Sequence, residues 1–353
     1  MAEKVLMKGN EAIAEAAIRA GCRHYFGYPI TPQTELAAYM AKRMPKIGGT
    51  FLQAESEIAA INMVYGVSSA GFRVMTSSSS PGVSLKQEGI SYLAGSDLPA
   101  LIVNVQRGGP GLGGIQPSQS DYFQACKGGG HGDYHLIVLT PASVQEMADM
   151  TELAFDLADK YRVPSMLLAD GTMGQMMEPV ILPEEHVNKI DKPWAVTGTE
   201  GKRKPNIVNS LYLKPEELEQ KNWERFETYR QIEENEVRYE SYLMDDADYC
   251  IVAFGIAARV SKNAVNELRK QGVKVGMIRP ITIWPFPKKA IAAAAEHVKA
   301  FVSVELSMGQ MIEDIRLAEN CKKPVVLCNR VGGMIPSPEE VIACVQNLEG
   351  GND

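Results

Sequence analysis

No two of the six cysteines (Cys22, Cys126, Cys250, Cys321, Cys328 and Cys344) are spaced as C-x-x-C, and no four of them cluster. This chain therefore offers no recognisable cage for zinc or an iron–sulfur cluster. Scattered thiols in a long chain read as reduced. A basic excess is missing too. Lys and Arg number 36 against 43 Asp and Glu, a formal net charge of −7, which argues against bulk nucleic-acid binding. No apolar run approaches the roughly 18 residues of a membrane span. The stretch Met1 to Asn10 lacks the apolar core of a signal peptide. The expectation is a cytoplasmic protein that binds neither membrane nor nucleic acid.

What is present is an ordinary globular mixture, 45% apolar and 22% charged over 353 residues. That length suggests roughly two domains. Up to residue 169, strand-like and helix-like segments alternate. Helices are predicted over 9–20, 31–43, 57–69, 81–94 and 143–160, and strands over 24–27, 50–53, 73–76, 99–105, 135–139 and 163–169. Ser143 and Glu146 have the spacing of a capping box, and Val144, Met147, Ala148, Thr151 and Phe155 fall on one helical face. Such alternation predicts a parallel sheet covered on both faces. From about 183 to 246 the chain is highly charged and poor in aliphatics, which reads as a linker with a surface helix. The alternation then resumes as a second, smaller α/β unit of about 100 residues.

Four segments could carry chemistry. Tyr28-Pro29-Ile30-Thr31-Pro32 follows the first strand, and ligands of parallel sheets bind beyond strand carboxyl ends. It is either a rigid loop presenting the Thr31 hydroxyl or a plain helix start, with Thr31 as N-cap and Pro32 as first helical residue; residue types favour the latter. Glu57 heads a helix that is apolar nearly all round and so reads as buried. Its carboxylate either complements the helix dipole or works as an acid in a dry site. Thr76-Ser77-Ser78-Ser79-Ser80-Pro81-Gly82 runs hydroxyls into a helix N-terminus, a cap or a polar binding turn. Arg107 ends a strand and opens a glycine loop in which Gly109, Gly111 and Gly114 match G-x-G-x-x-G. No helix follows, so the dinucleotide reading is rejected. Arg107 then either grips a carboxylate or phosphate or is a surface arginine beside a turn. His131 and His135, four apart in a non-helical context, are not a metal pair.

In this order, YPITP, QAESE, TSSSSPG and a strand ending in R-G-G-P resemble the alpha subunit of 2-oxoacid:ferredoxin oxidoreductases, over nearly the whole chain. The segments GNEAIAEAAIRAG, SSSSPGVSLKQEGISYLAG and GGPGLGGIQPSQSDYFQACKGGGHGDY look most like the branched-chain, 2-oxoisovalerate type. The resemblance implies a thiamine diphosphate pyrimidine-binding parallel-sheet domain (1–182). A charged linker (183–245) and a transketolase C-terminal-like α/β domain (246–345) would follow. It places Glu57 against N1′ of the thiamine pyrimidine, and Thr31 and Arg107 on the carboxylate of a 2-oxo acid. Tyr28, Pro29, Ile30, Ser79 and Ser80 would line the cofactor site, with no metal ligand on this chain.

Thiamine enzymes bind diphosphate and a divalent ion through a G-D-G…N motif, which this chain lacks; Ala169-Asp170-Gly171 is the nearest approach. The resemblance thus implies half of an active site. A beta subunit would carry diphosphate, Mg²⁺ and an iron–sulfur cluster, with gamma and ferredoxin-like delta chains as further partners. The implied reaction is oxidative decarboxylation to acyl-CoA, CO₂ and reduced ferredoxin. Two other readings stay open. One is 2-oxoglutarate as substrate, bound at its distal carboxylate by Arg23, Arg73, Lys86, Lys127 or His131. The other is a non-catalytic assembly subunit.

Overall fold

The computed structural model describes residues 4–185 and 190–349. Residues 1–3 of the amino-terminal stretch and 186–189 of the charged segment lie outside the described residues. The chain opens with β1 (Val5–Lys8) and α1 (Gly9–Arg19), then β2 (His24–Gly27), α2 (Thr34–Arg43), β3 (Thr50–Gln53) and α3 (Glu57–Ser69). It continues with β4 (Val74–Ser78), α4 (Ser80–Gly95), β5 (Leu101–Gln106), α5 (Tyr122–Cys126), β6 (Ile137–Leu139), α6 (Val144–Tyr161), β7 (Ser165–Asp170), α7 (Gly171–Gln175) and β8 (Met177–Val180). Strands β4, β5, β6 and β7 are buried throughout, as parallel strands covered on both faces must be. The periodic face of α6 is buried as its spacing predicts, Val144, Met147, Ala148, Thr151 and Phe155 included.

The second half contains α8 (Pro215–Asn235), β9 (Tyr239–Tyr242), β10 (Tyr249–Ala253), α9 (Gly255–Lys270), β11 (Val275–Pro280), β12 (Thr282–Trp284), α10 (Lys288–Ala295), β13 (Ala300–Glu305), α11 (Met311–Ala318), β14 (Val325–Asn329) and α12 (Pro338–Glu349). One sheet has the order β14-β13-β10-β11-β9, parallel except for β9. The larger has the order β12-β6-β7-β5-β4-β2-β3, parallel except for β12. A short antiparallel pair, β1 with β8, completes the sheets.

Two pairings cross what the hydropathy pattern separates. The charged segment donates β9 to the edge of the second sheet. Strand β12, which follows the second unit's β11, joins the first sheet beside β6. Each is short, and an edge strand carries too few alternating residues to stand out. Helix α8 is mostly exposed but buries Arg225, Tyr229 and Ile232, one stripe at helical spacing. Tyr229 packs edge-on against His135 and Trp284.

The capping box on α6 forms only in part. Ser143 Oγ accepts from Glu146 N–H, but the Glu146 carboxylate accepts from Ala142 N–H rather than from Ser143. The reason is a competing partner. Arg279, at the end of β11, donates to both Glu146 oxygens at 2.8 and 2.7 Å, and its Nε lies 3.2 Å from Glu240. Burial works against the Glu146 charge, but the Arg279 hydrogen bonds prevail and hold this carboxyl below its ordinary range.

Arg279→Ala leaves Glu146 without its partner and should destabilise the fold by about 3 kcal/mol at neutral pH. A carboxyl with a lowered native value stabilises above its unfolded value and loses that contribution in acid. The difference between native and variant should therefore shrink as the pH falls below about 4. Thermal melts of both forms across pH check this.

Candidate active site

The first sheet's carboxyl edge gathers the polar segments. Strand β2 ends at Gly27 and runs into 28–32, where Tyr28, Pro29 and Thr31 are exposed and Ile30 is half-buried. The helix that follows begins at Thr34, with Gln33 as N-cap, which corrects the expected start at Thr31 and Pro32. The carbonyl of Pro32 is taken by the side chains of Asn10 and Gln175. Buried Gln33 turns its side chain inward, accepting from Ser77 Oγ at 2.6 Å and donating to Tyr28 O. Ser77 Oγ also meets Tyr25 Oη at 2.7 Å. The loop is thus pinned from beneath and offers Thr31 outward. The Thr31-Pro32 and Gly109-Pro110 bonds are both cis.

Glu57 is the first residue of α3, after Ser56, whose hydroxyl caps Ala59 N–H. Its side chain is 6% exposed. The expectation of a helix buried all round is corrected. Ile58, Asn62 and Gly66, one turn apart, are exposed, so α3 shows an unpartnered stripe. Across from Glu57 the missing side chain of Gly82 makes room, since a Cβ there would lie 2.6 Å from Glu57 Oε1 and 2.1 Å from Ser78 Oγ. The hydroxyls of Ser78 and Ser79 are buried without a hydrogen-bond partner, which is unusual for buried polar atoms.

Ser80 is committed elsewhere. Its hydroxyl donates to Asp121 at 2.6 Å and accepts from Arg107 N–H at 3.0 Å. Asn104 bridges the same pieces, donating to Asp121 and accepting from Ser80 N–H. Burial raises the Asp121 carboxyl above its ordinary value, against those two hydrogen bonds. Arg107 is 8% exposed. Its guanidinium donates to Thr31 O at 3.0 Å and Leu112 O at 3.1 Å, and its Nε is buried without a partner. Arg107 and Thr31 are therefore in contact, through the Thr31 carbonyl.

Arg107, Ser80 and Asp121 border a cleft of about 720 Å³, closed on its far side by Leu306, Met308 and Val331 of the second unit. Gln119 stitches the two sides, donating to Phe254 O at 2.8 Å and accepting from Leu306 N–H at 3.1 Å. Thr31 lines a neighbouring hollow with Ile115 and Gly171. Asp121, Asn104 and Gln119 have no signature in the sequence, because single polar residues in a strand or loop carry no periodic signal.

The basic candidates lie elsewhere, and none of them lines this cleft. Arg23 is bound to Ile18 O, Cys22 O and Glu185. Arg73 is held by Asp156 and Asp159, and Lys127 pairs with Asp314. His131 is exposed beside Tyr92, while His135 stacks on Trp284. Lys86 is wholly buried in α4, its Nζ donating to Thr76 Oγ1 at 2.8 Å and Ser77 O at 3.0 Å. Burial pushes the Lys86 ammonium down to about 7, partly opposed by the Glu57 charge. Asp170 caps α7 through Thr172 and Met173 N–H, and burial lifts its carboxyl to about 6. Among the described residues, no three His, Cys, Asp or Glu side chains gather to hold a metal ion, and no helix is long and apolar enough to cross a membrane.

Residues 15–243 match the family model described as pyruvate flavodoxin/ferredoxin oxidoreductase, thiamine diphosphate-binding. Residues 247–341 match pyruvate:ferredoxin oxidoreductase core domain II. The chain is 53% identical to ketoisovalerate oxidoreductase subunit VorB of Methanothermobacter thermautotrophicus, covering 98% of each. It is 38% identical to 2-oxoglutarate synthase subunit KorA of Methanocaldococcus jannaschii, covering 95% of this chain and 97% of that one. Among solved structures it resembles the 2-oxoglutarate:ferredoxin oxidoreductase of Magnetococcus marinus, with a TM-score of 0.89 and 30% identity. That match covers 98% of this chain and 65% of that one. A split-gene transketolase, at a TM-score of 0.60 and 14% identity, shares the fold.

A lysine lowered by burial costs stability while charged, and the cost lifts as the pH rises from about 7 towards its unfolded value near 10.4. Relative to Lys86→Met, the native protein should gain on the order of 4 kcal/mol across that window. Paired melts at pH 7 and pH 10 test it; parallel curves would mean that Lys86 does not titrate there.

Proposed function

Because the chain belongs to the 2-oxoacid:ferredoxin oxidoreductases, as an alpha-type subunit, we propose that it forms the pyrimidine-binding half of a thiamine diphosphate site acting on 2-oxoisovalerate (3-methyl-2-oxobutanoate). The products are the branched acyl-CoA, CO₂ and reduced ferredoxin. The subunit works within a multi-subunit complex, as its relatives do. A beta chain supplies the diphosphate and Mg²⁺ site and the iron–sulfur cluster, with gamma and ferredoxin-like delta chains beside it. We read residues 1–182 as the cofactor-binding unit, 183–245 as the connecting segment and 246–345 as the unit closing the cleft, and place the protein in the cytoplasm.

The residues fit the cofactor. Two buried hydroxyls without partners, on Ser78 and Ser79, and the gap at Gly82 make a cradle for a polar ring beside Glu57. Bound there, thiamine diphosphate supplies the nucleophilic carbon and the electron sink that decarboxylation of a 2-oxo acid requires. Glu57 is placed to share a proton with the ring nitrogen. Tyr28, Pro29, Ile30, Ser79 and Ser80 wall the ring. Thr31 and Arg107 hold the substrate carboxylate, for which Arg107 has an uncommitted Nε.

One observation carries the substrate assignment: of the five basic residues that could meet a distal carboxylate, none lines the cleft beside Arg107. The far wall instead offers Leu306, Met308 and Val331, which suit a branched alkyl chain. The relatives at 53% and 52% identity are named for ketoisovalerate, and those named for 2-oxoglutarate stand at 35–38%. That second substrate keeps the same machinery and is the alternative reading.

The deciding assay is anaerobic viologen reduction by the purified complex with coenzyme A, comparing 2-oxoisovalerate, 2-oxoglutarate, pyruvate and indolepyruvate, with this chain alone as control. The expected outcome is turnover by the complex only, fastest with 2-oxoisovalerate. Preference for 2-oxoglutarate overturns the substrate, and turnover by the lone chain overturns the half-site. Glu57→Gln should slow turnover about 100-fold with assembly intact; unchanged turnover would make this an assembly subunit. Arg107→Ala should raise KM for the 2-oxo acid at least about tenfold. Gly82→Ala, whose methyl group would crowd Glu57 and Ser78, should weaken thiamine diphosphate binding more than it lowers the melting midpoint.

A further inference from the structure

We propose that Lys86 is a positioning residue for Glu57: its buried ammonium is the counter-charge that keeps the Glu57 carboxylate in place at the head of α3. The inference rests on the reading of Glu57 as the cofactor-facing carboxylate. Lysine is almost never fully buried unless paired, yet Lys86 has no exposed surface at all. Its two hydrogen-bond acceptors, Thr76 Oγ1 and Ser77 O, are neutral. They leave one ammonium proton and the whole charge to be met by something else.

The geometry of α4 supplies the answer. Gly82 and Lys86 are four residues apart and share a helical face. The space a side chain at 82 would fill is occupied by Glu57, whose Oε1 would lie 2.6 Å from that Cβ. Lys86 is thus the next residue along the face on which Glu57 rests, and Glu57 is the carboxylate whose charge favours its ammonium form. The hydrogen bonds to β4 fix the cation, and the cation in turn limits where the carboxylate can settle. The arrangement also explains a lysine that does not reach the substrate cleft.

The test uses the purified complex at about pH 6, where Lys86 is charged, stripped of cofactor, as native protein, Glu57→Gln, Lys86→Met and the double variant. The readouts are the thermal midpoint without cofactor and the thiamine diphosphate Kd from protein fluorescence. Lys86→Met should weaken cofactor binding about tenfold in the native background, but less than about twofold in the Glu57→Gln background. Its effect on the midpoint should be more favourable in the Glu57→Gln background, where Lys86 has already lost its counter-charge. Equal effects on the midpoint in both backgrounds overturn the proposal. If the midpoints couple but Glu57→Gln leaves cofactor affinity unchanged, the charge pair stands and the reading of Glu57 as cofactor contact falls. Should Lys86→Met fail to assemble, Glu57→Gln decides alone, since an unchanged midpoint means that Lys86 had no counter-charge to lose.

Discussion

Polar groups crowd the carboxyl edge of the first sheet, where water cannot reach most of them, and each must find a partner inside the protein. An unpaired buried donor or acceptor costs about 1–3 kcal/mol, and an unpaired charge more. The arrangement of β2, β4 and β5 follows from meeting that demand. Tyr25, Ser77 and Gln33 close one chain of hydrogen bonds and pin the loop that presents Thr31. Ser80, Asp121 and Asn104 close another and hold the backbone of Arg107. Against this nearly complete pairing, the unmet hydroxyls of Ser78 and Ser79 stand out.

The second unit is joined to this edge by more than proximity. Strand β12 extends the first sheet, Arg279 grips the head of α6, and Gln119 ties the site loop to Phe254 and Leu306. These contacts fix the far wall of the cleft relative to Arg107. Arg107 and Leu306 thus face one cleft from positions 199 apart in the sequence.

Helix α3 leaves one stripe of its surface uncovered on this chain. A helix as apolar as 57–69 buries every face in a self-sufficient domain, yet Ile58, Asn62 and Gly66 are open here. Leu112 and Ile115 in the glycine loop are exposed as well. Such surface suits coverage by another subunit.

The amino-acid order by itself determined the alternation of strands and helices, the placement of Glu57 at a helix head and of Arg107 at a strand end, and the absence of a diphosphate motif. These are local properties, written in periodicity, capping residues and spacing, and they hold wherever the segment sits. The start of α2 is not legible locally, because Thr31 and Pro32 look like a helix start, while Asn10 and Gln175 claim the Pro32 carbonyl from far along the chain. Strands β9 and β12 were invisible because an edge strand of three or four residues is specified by its neighbour, not by its own pattern. Tertiary structure alone decided that Thr31 and Arg107 touch, that Lys86 is buried against β4 rather than in the cleft, and which side chains close the far wall. Those are distances between residues remote in sequence, and no local pattern encodes them.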